Sequence, residues 1–156
     1  EGFEVLTLIQ TGRCSPRPFI LINHPDSNYW NSWRDYVETQ LCDRHYISPE
    51  DTKIYQIANS VEEVVEIIQT FYSTYHSIRY LKDSSVIRLN EPLTDLKCAQ
   101  INSEFKDIIT EGKFVQCRAQ DVPGEANYYP DKPRLVFHFN RVHYGRILAL
   151  IACINS

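Results

Sequence analysis

A short, continuous apolar run near the start of the chain limits the possible folds more than any other feature. Residues 19–22 read Phe-Ile-Leu-Ile, and such a run predicts a strand that is buried on both faces. An apolar stripe before it predicts a helix over residues 2–11, with Gly12 at its C-terminal end. A helix followed by a doubly buried strand is typical of a parallel sheet that is covered by helices.

The same alternation continues to about residue 75. An amphipathic pattern predicts a helix over residues 28–46, and a second strand is predicted over residues 53–58. Ser60 and Glu63 have the spacing of a capping box. They open a third helical pattern, whose inward apolar positions extend to Tyr75. Helix, strand, helix, strand, helix is the order of a parallel α/β sheet.

Two strands are too few for such a sheet, which usually contains about five or six. Two parallel strands also cannot bury the apolar faces of three helices. The sequence contains no methionine, which is unusual for a chain that has not been processed or shortened. We therefore expect that residues 1–80 form the C-terminal portion of a Rossmann-like domain, whose other strands precede Glu1.

The second half of the chain has a different pattern. Its predicted elements are a strand at 86–89, a helix capped by Thr94 and ended by Gly112, strands at 114–119 and 135–139, and a helix at 144–154. Residues 121–133 contain three prolines and predict an exposed loop. The order βαββα predicts a small α+β module over residues 81–156, one antiparallel sheet backed by two helices. The boundary is expected between residues 77 and 85.

Composition excludes several classes of function. The net charge is −4, so no nucleic-acid partner is indicated, and no apolar run is long enough to cross a membrane. The five cysteines are widely spaced and odd in number, which favours free thiols in a reducing, cytoplasmic compartment over disulfides or a metal site. No nucleotide-binding glycine loop or metal motif occurs, and no cofactor is predicted.

Three groups of residues have both a structural and a functional interpretation. Arg141 and Arg146, near the start of the last helix, could bind an anion, or they could be solvated side chains of a strand-to-helix turn. His138 lies within the predicted strand 135–139 and fits a structural histidine better than a ligand. Trp30 and Trp33 have helical spacing and are expected to belong to the core rather than to a stacking platform.

The most specific signal is a resemblance to a known family. It is carried by four segments, at residues 1–12, 18–23, 29–30 and 47–51. These resemble the Lonely Guy (LOG) family of Rossmann-like proteins, often described as possible lysine decarboxylases. The family motif Pro-Gly-Gly-x-Gly-Thr-x-x-Glu ends in a glutamate that opens this same helix, and Glu1 matches it. The preceding glycine-rich part and the upstream arginine of the family are not in this sequence. The resemblance covers about residues 1–77.

The resemblance implies hydrolysis of nucleoside 5′-monophosphates such as AMP to free base and ribose 5-phosphate. Glu1 is then the predicted catalytic residue, and its alternative role is that of a first-turn acid that stabilises the helix dipole. Asn23 is the predicted substrate-binding residue, because ligands of open α/β sheets bind at the carboxyl ends of the strands. The 156-residue chain alone is expected to be inactive, since it lacks the phosphate loop.

A second function remains open. The protein could bind nucleotides without turnover, with residues 83–156 as a regulatory or oligomerisation module, and a homo-oligomer is expected. Lysine decarboxylation itself is disfavoured. That chemistry normally needs pyridoxal phosphate held by a Schiff-base lysine, and none of the six lysines stands in such a context.

Overall fold

Two separate β-sheets organise the structure, a computed structural model that describes residues 1–156. One sheet has two parallel strands and the other has four antiparallel strands. The chain divides into two compact units, Glu1–Thr70 and Phe71–Ser156. The mixed α/β class with one parallel and one antiparallel sheet is therefore confirmed. None of the helices combines the length and the apolar character that crossing a membrane requires.

The first unit is built around a pair of parallel strands. Its elements are α1 (Gly2–Gln10), β1 (Phe19–Ile22), α2 (Tyr29–Tyr36), a π-helical segment (Val37–Cys42), a 3₁₀ turn (Asp51–Lys53), β2 (Tyr55–Ala58) and α3 (Val61–Phe71). In the parallel register Phe19 lies opposite Tyr55 and Ile22 lies opposite Ala58. The parallel pairing that the alternation of helices and strands predicts is thus present.

Helix α1 ends and helix α3 begins close to the residues that the sequence predicted. Gly12 follows the end of α1 with φ +67°, a conformation that glycine adopts without a steric penalty. The Ser60 Oγ accepts a hydrogen bond from the Glu63 N–H at 3.1 Å and so caps α3. The Glu63 carboxylate accepts from the N–H of Asn59 at 2.7 Å, one residue earlier than a standard capping box.

The helix predicted over residues 28–46 is shorter and changes its winding. After Tyr36 the turns widen, as in the bond from the Asp43 N–H to the Glu38 carbonyl at 2.9 Å. A bond between residues five apart defines a π-helix, which the spacing of apolar residues does not reveal. Val37, at the junction, is buried in the core of this unit.

A small apolar core joins the sheet to α2. Leu21, Val37 and Tyr55 form its buried centre, and both tryptophans pack against it. The Trp33 ring meets the Tyr55 ring edge-on, with centroids 4.9 Å apart. Trp30 and Trp33 are therefore core residues, as predicted from their spacing.

The second unit contains an antiparallel sheet with two helices. Its elements are β3 (Tyr75–Tyr80), β4 (Ser85–Leu89), α4 (Asp95–Glu104), a 3₁₀ turn (Lys106–Ile108), β5 (Val115–Cys117), a 3₁₀ turn (Ala119–Asp121), β6 (Arg134–Phe137) and α5 (Tyr144–Asn155). The strand order is β3-β4-β6-β5. The predicted antiparallel sheet and two helices are present, with β3 as an additional strand.

Strand β3 corrects the prediction that a helix extends to Tyr75. The helix α3 ends at Phe71, and Tyr75 instead pairs with Leu89 of β4. A register irregularity between Tyr75 and Ser77 allows Tyr75 and Ile78 to enter the same core. Phe71, Tyr75 and Ile78 are separated by four and then three residues, which is the spacing of an apolar helix face. The sequence of this strand therefore resembles that of a helix. The division between the two compact units falls after Thr70.

One face of this sheet forms the larger core. Ile87 and Leu89 of β4 are completely buried, as are Ile147 and Leu150 of α5. Helix α4 adds Ile101 and begins at Thr94, whose Oγ1 accepts from the Lys97 N–H at 3.2 Å. The N-cap predicted at Thr94 is confirmed.

A buried carboxylate surrounded by three arginines lies within the second unit. Glu125 belongs to the proline-containing segment 121–133, and its side chain is fully buried. Its carboxylate accepts from Arg88 Nη2 at 2.7 Å, from Arg134 Nε at 2.9 Å and from Arg79 Nη1 at 3.0 Å. Arg134 is itself fully buried. The segment predicted as an exposed loop is thus anchored by an internal ion cluster.

The arginines determine the charge of Glu125. Burial raises the pKa of the carboxyl group, but hydrogen bonds from Arg88, Arg79 and Arg134 and the charge of Arg88 outweigh it and lower the pKa from 4.5 to about 2. The carboxylate form is therefore strongly favoured in the folded state.

We expect Glu125→Gln to lower the free energy of unfolding by about 3–5 kcal/mol, because it leaves buried arginine charges uncompensated. Chemical denaturation measures this change. Glu111→Gln is the control, because that side chain is 75% exposed, and its effect should stay within about 0.5 kcal/mol. An equal loss in both variants would contradict the role of the ion cluster.

The same cluster predicts acid sensitivity. The pKa of Glu125 is lower in the folded than in the unfolded chain, so its stabilising contribution is complete above pH 4.5 and is lost as the pH falls towards 2. Unfolding midpoints measured across this interval should fall less in Glu125→Gln than in the unmodified chain. If the unfolding midpoints of both proteins fall equally with pH, another group causes the acid sensitivity.

Candidate functional site

The carboxyl edge of the parallel strands is organised by Asn23. Its backbone N–H donates to the Ala58 carbonyl at 2.8 Å and so continues the pairing of β1 with β2. Its side-chain Nδ2 donates to Asn59 Oδ1 at 3.1 Å, and its Oδ1 accepts from the Trp30 N–H at 3.2 Å. Asn23, which is only 6% exposed, therefore connects the ends of both strands to the start of α2.

Side chains already bind some of the N-terminal N–H groups of α2 and α3. At α2, Ser27 Oγ accepts from the Tyr29 N–H at 3.2 Å, next to the bond between Trp30 and Asn23. At α3, Ser60 accepts the Glu63 N–H. These bonds satisfy donors that would otherwise be available to an anion.

The start of α1 differs from the other two helix starts. Glu1 is exposed and its side chain forms no capping hydrogen bond, although its carbonyl accepts from the Val5 N–H at 3.0 Å. Glu1 therefore stands at the positive end of a helix, where negative charge is favourable.

An aromatic row links the start of α1 to the start of α2. The Phe3 and Trp33 rings have centroids 5.4 Å apart, and the Trp33 and Trp30 rings are 6.0 Å apart. The Trp30 N–H in turn donates to Asn23. The elements that carry the predicted residues Glu1 and Asn23 are thus connected by packing within the first unit. Their roles in catalysis and substrate binding remain predictions.

The two candidate anion-binding arginines are engaged by other groups of the second unit. The Arg146 Nε donates to Asp107 Oδ2 at 2.9 Å, and the guanidinium lies over the Phe105 ring at 4.6 Å. Hydrogen bonding to Arg146 holds the pKa of Asp107 below its usual range. Arg141 donates to the carbonyl of Leu81. These contacts support the interpretation of the segment as a structural turn, although Arg146 is ion-paired rather than simply solvated.

His138 also has a structural environment. Its Nδ1 lies 2.7 Å from the carbonyl oxygen of Asp83, and Glu111 is 3.8 Å away. No three His, Cys, Asp or Glu side chains of the chain group together as a metal site. The five cysteines are free in the structure.

The most strongly perturbed carboxylate, Glu125, was not among the predicted site residues. Its partners Arg88 and Arg134 lie directly opposite each other on β4 and β6, and like charges in that arrangement repel. Two arginines in neighbouring strands are therefore a signal that a buried carboxylate must lie nearby. Reading that signal requires the strand register, which the sequence does not show.

A comparison with protein families gives one match. Residues 1–68 match the family described as "Possible lysine decarboxylase". The match includes α1, both parallel strands and most of α3, and thus every residue of the strand edge described above. No curated protein and no solved structure matches the chain.

We expect Asn23→Ala to lower the free energy of unfolding by about 1–3 kcal/mol, because the Trp30 N–H and the Asn59 side-chain Oδ1 lose the buried partner that Asn23 provides. Asn28→Ala is the matched control in the same loop, since Asn28 is exposed and its Oδ1 accepts a hydrogen bond from the Asn31 side chain on the surface. Urea denaturation followed by tryptophan fluorescence provides the measurement. A difference below 0.5 kcal/mol between the variants (roughly the scatter of surface substitutions) would show that Asn23 does not hold the strand edge.

Proposed function

Residues 1–68 of this chain belong to the possible lysine decarboxylase (LOG) family, and we propose that they form part of a nucleoside 5′-monophosphate phosphoribohydrolase. The observation that carries the proposal is the position of Glu1 at the start of α1, within the segment that matches the family. The same position is where the family motif ends. We further propose that β1, β2 and their helices belong to a Rossmann-like sheet.

The proposed reaction needs one carboxylate at the sugar. The bond between C1′ of the ribose and the base nitrogen breaks, and its electron pair leaves with the base, which takes up a proton. A water oxygen then bonds to C1′ and loses a proton. A carboxylate beside C1′ stabilises the positive charge that develops there and orients the attacking water.

The geometry of α1 supports this assignment. A side chain that capped the helix would be held away from a substrate, but Glu1 forms no such bond. The positive end of the helix dipole also favours a phosphate near the same place. Substrate phosphate and catalytic carboxylate would then approach the helix from adjacent positions. Asn23 is proposed to bind substrate through the second N–H of its carboxamide, since the first is bonded to Asn59.

The lysines argue against decarboxylation. A lysine that forms a Schiff base is usually desolvated, because burial lowers its pKa and exposes the amine lone pair. None of the six lysines is buried. The Nζ of Lys97 donates to Ser156 Oγ at 2.9 Å, and that of Lys132 donates to Asn90 Oδ1 at 2.8 Å. Hydrolysis of a nucleotide therefore fits the residues better than decarboxylation of an amino acid.

A second role is proposed for the second unit. It has its own core and an internal ion cluster, and no part of it matches the family. A separately folded unit outside the family region fits a regulatory or oligomerisation module. In that case the protein could bind nucleotides without turning them over.

The catalytic proposal predicts release of adenine from AMP by the protein in the longest form that its gene encodes. We expect Glu1→Gln to reduce the rate at least 100-fold, since the carboxylate charge at C1′ is lost. Glu4→Gln is the matched control, because Glu4 is an exposed acid in the same first turn. Chromatography of the free base measures both rates.

The outcomes separate catalysis from helix stabilisation. Equal losses in the two variants would mean that both acids act only through the helix dipole. If the unmodified protein releases no adenine, the proposal is contradicted. The 156-residue chain alone should release no base, because the glycine-rich phosphate loop is not part of this sequence.

The proposal for the second unit predicts a change on truncation after Phe71. This position follows the division between the units and leaves the β3–β4 pairing outside the retained part. We expect an altered oligomeric state by light scattering or an altered AMP affinity by calorimetry. Circular dichroism first establishes that the truncated protein is folded. An unchanged oligomer with unchanged affinity would contradict a regulatory or oligomerisation role.

A further inference from the structure

The ion cluster of the second unit carries more positive than negative charge. Its single carboxylate is Glu125, with which Arg79, Arg88 and Arg134 all pair. None of the three arginines forms an ion pair with any other acidic side chain. Two of the three guanidinium charges are therefore uncompensated, and such an excess of one sign attracts anions from solution.

Two of these arginines direct their donors to groups of the protein. Arg88 donates through Nε and Nη2 to the two carboxylate oxygens of Glu125, at 2.8 and 2.7 Å, and through Nη1 to Ser77 Oγ at 3.4 Å. Arg134 is fully buried, and its Nη1 and Nη2 donate to backbone carbonyls of residues 128–132. These two side chains therefore hold the cluster together and have no pair of donors left for a ligand.

Arg79 differs from them because one edge of its guanidinium is unused. Its Nη1 donates to Glu125 Oε1 and to the Gly124 carbonyl, both at 3.0 Å, whereas its Nε and Nη2 bond to no group of the protein. The N–H groups of Nε and Nη2 are parallel and form a fork that fits two oxygens of one anion. Arg88 binds Glu125 with this same edge. Since the Arg79 side chain is 40% exposed, its fork is accessible from solution.

The ring of Tyr128 holds the guanidinium groups of Arg79 and Arg88 in place. The Cζ atom of Arg79 lies 5.1 Å from the ring centroid, and that of Arg88 lies 5.7 Å from it. Cation–π contacts at these distances are favourable. A guanidinium whose orientation is already fixed loses less conformational entropy when it binds an anion.

Charge and shape define the kind of anion. A phosphate monoester carries about two negative charges at neutral pH and has three acceptor oxygens. Its charge therefore matches the two uncompensated charges of the cluster, and two of its oxygens fit the fork of one guanidinium. A carboxylate also fits the fork, but it compensates only one of the two charges.

We propose that the Nε–Nη2 edge of Arg79 binds the phosphoryl group of inorganic phosphate or of a small phosphate monoester. Arg88 contributes the second positive charge, because it shares the Oε1 atom of Glu125 with Arg79. The site lies entirely within the second unit and depends on neither Glu1 nor nucleotide hydrolysis. It gives the second unit a ligand of its own.

Calorimetric titration of the full chain at low ionic strength tests the choice of anion. The probes are inorganic phosphate, phenyl phosphate and benzoate, of which the last two share a ring and differ in charge. We expect both phosphates to bind, and benzoate to bind about tenfold more weakly than phenyl phosphate. Equal affinities for the two phosphates identify free phosphate as the ligand, and a higher affinity for phenyl phosphate identifies a monoester.

Substitutions test the role of the fork. Arg79→Gln should lower the affinity for phosphate at least about tenfold, because it removes both the charge and the charged hydrogen bonds. Arg79→Lys keeps the charge but not the parallel donors, so its affinity should lie between those of Arg79→Gln and the unmodified chain. Arg118→Gln is the matched control, since Arg118 is an exposed arginine that also pairs with one acid, and it should bind phosphate normally. Circular dichroism establishes that each variant is folded.

Nitrogen NMR of the unmodified chain locates the bound anion without any substitution. The Nε–H resonance of Arg79, assigned through the resonances of its own side chain, should shift when phosphate is added, and that of Arg118 should not. Three results would overturn the proposal. They are a failure of both phosphates to bind, an Arg79 resonance that does not respond, and an affinity of folded Arg79→Lys equal to that of the unmodified chain, which would mean that charge alone attracts the anion.

Discussion

Parallel pairing of β1 with β2 organises the first unit. Parallel strands require a crossover connection, which here contains α2, the π-helical segment and a 3₁₀ turn. The pairing also places both carboxyl ends at one edge, where the side chain of Asn23 connects them to α2. The capped starts of α2 and α3 depend on this arrangement, and so does the contact of Tyr55 with Trp33.

Charge compensation plays the equivalent role in the second unit. The antiparallel register brings Arg88 opposite Arg134, an arrangement that is unfavourable without a counter-ion. Glu125 supplies the counter-ion from a segment that consists of successive turns. One carboxylate therefore neutralises the repulsion and fixes the segment. A cluster of this kind is sensitive to the loss of Glu125, because Arg88 and Arg134 would remain buried without a counter-charge.

Much of the fold follows from local patterns. The run at residues 19–22, the capping residues Ser60 and Thr94, and Gly12 each mark an element that the structure contains. Strand β3 was missed because a register irregularity gives Tyr75 and Ile78 a helical spacing. At the candidate site, the position of Glu1 at the start of α1 follows from the sequence. The bonds of Asn23 to Asn59 and Trp30 do not, since they join residues up to 36 positions apart.

Local sequence therefore determines which segments are helices and strands, and it carries the family signal in residues 1–68. It does so because propensities, caps and apolar periodicity act within a few residues. The tertiary structure alone places Glu125 among three arginines and leaves the Nε and Nη2 of Arg79 without a partner in the protein. These features arise from contacts between distant segments, where burial and charge depend on how the elements pack rather than on the residues adjacent in the chain.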